Sequence, residues 1–217
     1  MSVDAVTVLL VDDHAVVREG YRRLLERGGN IDVIGEADTA DAALERFREL
    51  APQVVVMDIA LPGISGVEAM RRMLAEKPAT RVLMFSMYED AIFANRALQA
   101  GACGYVTKAS APNVLVEAVL TVARGKPYLS AEIAQALAQR NAIAAAAPAD
   151  ALSAREFEVL RLVVQGLSIS DIAKTLGLMP KTVSNHQSAI KQKLGAESAV
   201  QLVRIASRLG LVPKQPE

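Results

Sequence analysis

The chain contains no tryptophan, and aromatic residues make up only 4% of it. Any core must therefore be built from aliphatic side chains. A single cysteine, Cys103, excludes a disulfide framework within the chain and any Cys-cluster metal site. At the start of an apolar run it reads as an inert buried thiol. No apolar run approaches the roughly 18 residues of a membrane-spanning helix. The N-terminus also lacks the basic-then-apolar layout of a secretory leader. The reducing cytoplasm is the expected location, with no membrane partner. What is present is ordinary: 52% apolar and 22% charged residues, which excludes wholesale disorder. With 217 residues, one large domain or two small ones are possible.

Formal net charge is zero, but it is unevenly spread. Residues 1–125 carry 13 Lys and Arg against 17 Asp and Glu, while residues 151–217 carry 9 against 5. An acidic front and a basic back suggest two jobs, and the basic part suits a polyanion.

The front half alternates two periodicities. Val6–Val11, Gln53–Met57, Arg81–Phe85 and Cys103–Val106 are short continuous apolar runs, and Ile31–Glu36 is a weaker fifth. Such runs read as strands buried on both faces. Between them lie segments of helical spacing, such as Ala43, Leu44, Phe47 and Leu50. Five strand–helix pairs predict a doubly wound α/β domain with a parallel sheet covered on both sides. The predicted domain spans residues 1–125.

Residues 126–150 change character and read as a linker with a short helix from Ser130 toward Gln139. The alanine-rich stretch Ala142–Ala151 has helix propensity but no face to dock, and Pro148 interrupts it. From Ser153 onward every signal is helical. Ser153-x-x-Glu156 is a capping box, and Ser168-x-x-Asp171 opens a second helix that ends near Gly177. Pro180 opens a third helix stopped by Gly195, and Ser198–Leu209 makes a fourth. Residues 151–217 thus read as an all-α four-helix unit, and the short turn between its second and third helices is a helix-turn-helix pattern.

Three carboxylates fall at predicted strand ends: Asp12 and Asp13 after the first, and Asp58 after the third. Ligands of an open parallel sheet bind at the carboxyl ends of strands where the strand order reverses. If it reverses between these two strands, the three carboxylates converge and need a cation. Ser86 and Lys108 end the fourth and fifth strands at the same level. Lys108 can pair with a carboxylate, and Mg²⁺ suits the remaining negative charge. Three Asp, a hydroxyl, a Lys and Mg²⁺ fit phosphoryl transfer to a carboxylate. Asp58 stands alone before a Pro–Gly turn and is the expected nucleophile; Asp12 and Asp13 are the expected metal binders. His14, at a helix start, reads as packing or capping rather than as a ligand.

The segments VDDH, VVVMDIALPGISG, MFSMYED and GACGYVTKAS closely resemble bacterial response-regulator receiver domains over about residues 5–125. The resemblance implies a (βα)5 fold in which Asp58 is phosphorylated. It implies Mg²⁺ held by Asp12, Asp13, Asp58 and the backbone carbonyl of Ala60. It also implies that Ser86 is the switch hydroxyl, Lys108 the phosphate contact and Tyr105 the aromatic that repositions on activation. Ala109 follows Lys108 where Pro is frequent in that family.

The third helix of the C-terminal unit puts Val183, Ile190 and Leu194 on one stripe. Ser184, Asn185, Ser188 and Lys191 lie on another face, which fits a major groove or an ordinary solvated surface. Lys181 and Thr182 at its start can reach phosphates. Residues 150–212 resemble the DNA-binding domain of the LuxR/NarL/FixJ class, with LSARE standing for its LTxRE opening at Glu156. That resemblance implies base contacts from Ser184, Asn185 and Ser188, and backbone contacts from Lys181, Thr182 and Lys191. Ser184 stands where Lys is common, and Met179 stands where a capping Ser is common. Surplus apolar residues on the fourth helix, including Val200, fit dimerisation of the domain.

Together these readings predict a two-component response regulator of the NarL/FixJ class. A partner histidine kinase phosphorylates Asp58, and the chain binds double-stranded DNA as a homodimer favoured by phosphorylation. It assists its own phosphotransfer and dephosphorylation without being an enzyme in the turnover sense. One alternative is a regulator that ignores phosphorylation and uses the receiver as a dimerisation module. The other is an aspartyl-phosphate phosphatase, which usually needs a second Asp where this chain has Ala60.

Overall fold

A computed structural model describes residues 5–143 and 152–208, apart from Gly63 and Asp90. The chain divides into two compact units, Met1–Ile143 and Ala144–Glu217. The first holds one parallel sheet in the order β2-β1-β3-β4-β5-β6. Its strands are β1 (Val6–Val11), β2 (Ile31–Ala37), β3 (Val54–Met57), β4 (Arg81–Ser86), β5 (Gly104–Thr107) and β6 (Tyr128–Leu129). Helices α1 (Ala15–Glu26), α2 (Ala40–Leu50), α3 (Gly66–Glu76), α4 (Ala91–Gln99) and α5 (Pro112–Ala123) connect them, and α6 (Ala131–Ile143) follows β6.

Both sheet faces are dry, as continuous apolar strands require. On one face Val8, Leu10, Val54, Val56, Leu83 and Val106 share a core with Leu25 of α1 and Leu115, Val119 and Val122 of α5. The alternate residues Leu9, Val55, Met57, Val82 and Met84 are equally buried and face the opposite side. Right-handed crossovers put α2, α3 and α4 there.

The sheet exceeds the expected five strands by one. Residues 128–143, read from composition as part of a linker with a short helix, form β6 and α6 and group with the first unit. β6 pairs in parallel with β5, Gly104 beside Tyr128 and Tyr105 beside Leu129. Because α5 shares the face of α1, the β5–α5–β6 connection has the rarer left hand. A strand of two residues tolerates this, since it only borders the sheet. The chain then passes round that edge, and α6 packs on α4 with Ile133 fully buried. The remainder of the expected linker, residues 144–150, lies outside the described residues, as do Ala151 and Leu209 of the predicted helical unit.

The second unit comprises α7 (Ala154–Val164), α8 (Ile169–Thr175), α9 (Pro180–Leu194) and α10 (Ala199–Arg208). The capping box forms: the Ser153 hydroxyl accepts from the Glu156 N–H while the Glu156 carboxylate accepts from the Ser153 N–H at 2.6 Å. Glu156 also accepts from Lys193 Nζ at 2.7 Å, tying the start of α7 to the end of α9. Burial pushes the Glu156 carboxyl up, but Lys193 and Ser153 outweigh it and hold it below the usual carboxylate range. Burial, with Arg155 adding to it, holds His186 below its ordinary value. Both depressed groups bind more protons when unfolded, so the unit loses stability as pH falls. The loss begins below about pH 6.5 through His186 and deepens below about pH 4.3 through Glu156. Hydrogen exchange of α7 amides checks this: Glu156→Gln should remove the second step and lower protection at pH 7 by about 1 kcal/mol.

Candidate functional site

The first strand connection runs one way along the sheet and the later ones run the other, so the order reverses between β1 and β3. Val11 at the end of β1 pairs with Met57 at the end of β3, which sets Asp12 and Asp58 side by side. Lys108 arrives from β5, whose Thr107 pairs with Ser86 of β4. Its Nζ donates to Asp12 Oδ2 at 2.5 Å and to Asp58 Oδ2 at 2.6 Å. All three side chains are at most 6% exposed. Burial alone would push the Lys108 ammonium down; Asp58 and Asp12 outweigh it and hold it above the ordinary lysine range. Below it the Phe85 ring lies 5.9 Å from Nζ, and Tyr21 meets that ring edge-on.

Two carboxylates on one ammonium leave the group net negative. Asp13 adds a third, partly exposed, whose Oδ1 lies 2.7 Å from His14 Nδ1. His14 occupies the cap position of α1 but makes no side-chain cap bond; its backbone N–H donates to Asp12 Oδ1 instead. Ligand atoms of Asp12, Asp13 and His14 lie within 4.8 Å of one another. Ala60, whose carbonyl the family resemblance implicates, donates its N–H to Asp58 Oδ1 at 3.2 Å. An excess of buried hard oxygen donors fits a hard divalent cation.

Ser86 is buried at the end of β4, where its carbonyl accepts from the Lys108 N–H. Tyr105 is fully buried, and its hydroxyl donates to the Tyr88 carbonyl at 2.7 Å. The Tyr88 ring stacks on Phe93 of α4 at 4.2 Å. Ser86, the β4–α4 loop and Tyr105 are thereby joined in one contiguous set.

In the second unit, Val183 and Ile190 of α9 are buried and Leu194 is half-buried. The opposite face presents Lys181, Asn185 and Ser188 exposed, with Thr182, Ser184 and Lys191 half-buried. Ser184 donates its hydroxyl to the Pro180 carbonyl and Ser188 donates to the Ser184 carbonyl. Both hydroxyls thus offer lone pairs outward rather than donors. Met179 caps α9 without a side-chain bond, as its chemistry requires. Val200 of α10 is 63% exposed.

Two family descriptions match the chain: a response regulator receiver domain over residues 8–120, and bacterial regulatory proteins of the luxR family over residues 150–206. The response regulator GacA of Pseudomonas syringae pv. syringae (strain B728a) is 39% identical over 209 residues, covering 95% of this chain and 98% of that protein. The chain is a response regulator. Response regulator UvrY of Escherichia coli (strain K12) is 36% identical, covering 95% of each chain. Among solved structures, the Salmonella typhimurium RcsB response regulator covers 94% of this chain and 99% of its own at 26% identity and TM-score 0.61. The RcsB–DNA complex aligns with TM-score 0.61 over 94% of this chain and 98% of its own, at 26% identity. This response regulator accordingly joins a receiver to a LuxR-type helix-turn-helix domain and acts as a transcription regulator. Among the described residues, no helix is long and apolar enough to cross a membrane.

Two features of the receiver pocket carried no mark in the sequence reading. Arg18 of α1 donates to the Asp12 carbonyl. Gly66 opens α3 against the end of β3: a Cβ there would lie 1.8 Å from the Asp58 carbonyl oxygen. The only sequence signal was a glycine after the capping Ser65, where other residues also serve. Gly66→Ala is expected to cost about 2 kcal/mol or more, since the Asp58 backbone must move. Urea denaturation measures the cost, and intact mass after phosphorylation reads the displaced Asp58.

Proposed function

We propose that Asp58 accepts a phosphoryl group from a partner sensor histidine kinase and that the modified chain binds double-stranded DNA as a homodimer through α9. The carrying observation is the buried Lys108 ammonium shared by Asp12 and Asp58 on a chain with a LuxR-type helix-turn-helix. A carboxylate oxygen of Asp58 forms the bond to phosphorus as the bond to the donor's leaving group breaks. Lys108 faces the negative charge on the phosphoryl oxygens. Asp12, Asp13, Asp58 and the Ala60 carbonyl would hold Mg²⁺, which supplies further positive charge there when bound. Ser86 and Tyr105 then relay the change, because Tyr105 grips the Tyr88 carbonyl in the loop leading to α4. Residues 1–125 act as the receiver with β6 and α6 added to it, the residues after Ile143 as the connector and 151–217 as the DNA-binding domain, in the cytoplasm.

Asn185, Ser184 and Ser188 would read base edges, while Lys181, Thr182 and Lys191 hold the backbone. One short recognition helix supplies little affinity alone, and the exposed Val200 on α10 suits pairing of two domains. Selection from a pool of random duplexes, with and without acetyl phosphate and Mg²⁺, tests the reading. The expected product is a pair of half-sites about one helical turn apart, bound more tightly after phosphorylation. Lys181→Ala should flatten the dependence of log affinity on log salt by about one. Failure to enrich any sequence would overturn DNA recognition. Affinity indifferent to acetyl phosphate would instead favour the phosphorylation-independent regulator.

A further inference from the structure

The acidic pair at the end of β1 is held by more than its own strand. The Asp12 N–H donates to the Ala37 carbonyl at 3.1 Å, which ends the pairing of β1 with β2. Beyond it the Asp12 carbonyl has left the sheet. The Arg18 guanidinium takes it, Nη1 donating at 2.6 Å, while Arg18 Nε donates to Glu36 Oε2 at 2.8 Å. Glu36, on β2, is gripped from its other oxygen by Arg22 Nη1 at 2.7 Å. Burial pushes the Glu36 carboxyl up, yet Arg22 and Arg18 outweigh it and keep it ionised.

We propose that Arg18 is a positioning residue for the divalent-cation site, acting through the Asp12–Asp13 peptide plane, with Glu36 as its orienting partner. The inference rests on the Mg²⁺ reading above. The carbonyl that Arg18 holds belongs to the peptide joining Asp12 to Asp13. Rotation of that plane re-aims the Asp13 side chain relative to Asp12. Three bonds hold this stretch of backbone: the Asp12 N–H to Ala37 in the preceding peptide, the Asp12 carbonyl from Arg18 in the plane itself, and Asp12 Oδ1 from the His14 N–H of the following peptide. Of these only the Arg18 bond comes from a side chain outside the pair, so it alone can be removed by substitution elsewhere. The fork geometry of arginine suits two acceptors in fixed directions, which a lysine cannot match.

A guanidinium beside a cation site has an electrostatic cost, since like charges repel. Glu36 offsets it: the charge that orients Arg18 also cancels its field at the pocket. This makes the sign of the effect diagnostic. If Arg18 acted only through charge, replacing it by a neutral residue would tighten Mg²⁺ binding. If it positions the ligands, the same replacement weakens binding.

The test is a Mg²⁺ titration of the full chain, followed by the amide signals of Asp13 and His14, with folding checked by urea denaturation in EDTA. Arg18→Met should weaken Mg²⁺ about tenfold, the scale of losses at outer-shell partners of metal sites. Arg18→Lys should fall between Arg18→Met and the natural chain, and Glu36→Gln should weaken binding less than Arg18→Met. Arg22→Met, which breaks the far side of the network without touching Asp12, should stay within about twofold. Unchanged or tighter binding in Arg18→Met overturns the proposal, as does equal weakening in Arg22→Met. If Arg18→Met does not fold, Arg18→Lys and Glu36→Gln decide it by the same criterion. A natural chain that shows no Mg²⁺ response overturns the cation-site reading itself, an outcome distinct from either.

Discussion

Asp58→Asn is expected to take up no phosphoryl group from acetyl phosphate and Mg²⁺, whereas the natural chain should gain about 80 Da in intact mass. An amide nitrogen or oxygen cannot replace the carboxylate as nucleophile at the carboxyl end of β3. Lys108 and Asp12 remain in place, so the loss isolates the acceptor from the rest of the pocket. The variant is also expected to be the more stable protein without metal. Asp12 and Asp58 share one ammonium while Asp13 stands beside them. Neutralising one carboxylate relieves that excess, by about 1 kcal/mol in urea denaturation with EDTA. Excess Mg²⁺ should erase the difference by stabilising the natural chain through its binding. A mass gain retained in Asp58→Asn would show another acceptor. Loss of uptake with unchanged DNA affinity and transcription would leave the receiver as a dimerisation module.

Lys108→Met is expected to have the opposite effect on stability and a comparable one on chemistry. The Lys108 side chain is 6% exposed and lies against two carboxylates that are as deeply buried. Removing it leaves uncompensated buried charge, a loss of about 3–5 kcal/mol. That loss is expected in urea denaturation with EDTA and should shrink when Mg²⁺ is supplied. Phosphoryl uptake should slow about 100-fold or more, because the charge facing the developing oxyanion is gone. Lys108→Arg keeps the charge but carries a planar fork into a closed space between two carboxylates, so it should restore stability more than rate. If Lys108→Met retained both stability and rate, the ammonium would not be the charge that binds this pocket together.

The strand-end residues were legible because chemistry and periodicity agreed at the same positions. Apolar runs marked β1, β3, β4 and β5, and the first polar residues after them are Asp12, Asp58, Ser86 and the Thr107–Lys108 pair. The capping box at Ser153 was legible for a similar reason, since the bond it makes joins residues three apart. Lys193 as the partner of Glu156 was not, because 37 residues separate them and nothing local marks the pair. β6 escaped notice because two residues carry no periodicity, and its pairing with β5 depends on where α5 ends. The spacing places Ser184 and Ser188 on the polar face of α9, but it does not show that an i to i−4 bond to their own helix takes their hydroxyl protons.

The sequence by itself marked the elements other than β6, the presence of two units and the candidate groups of the pocket, because these follow from local patterns of apolar and polar residues. It also determined that the front pocket carries more negative charge than one lysine can neutralise. The tertiary structure decided which groups meet. The reversal of strand order beside β1 lets Lys108 reach both Asp12 and Asp58 across 96 and 50 residues of chain. Parallel neighbours far apart in sequence are brought together by crossover helices, so their contacts depend on strand order rather than on spacing. The same reason hid Arg18 and Gly66. One holds a backbone carbonyl and the other leaves room for one, and a backbone atom looks the same at every position in a sequence.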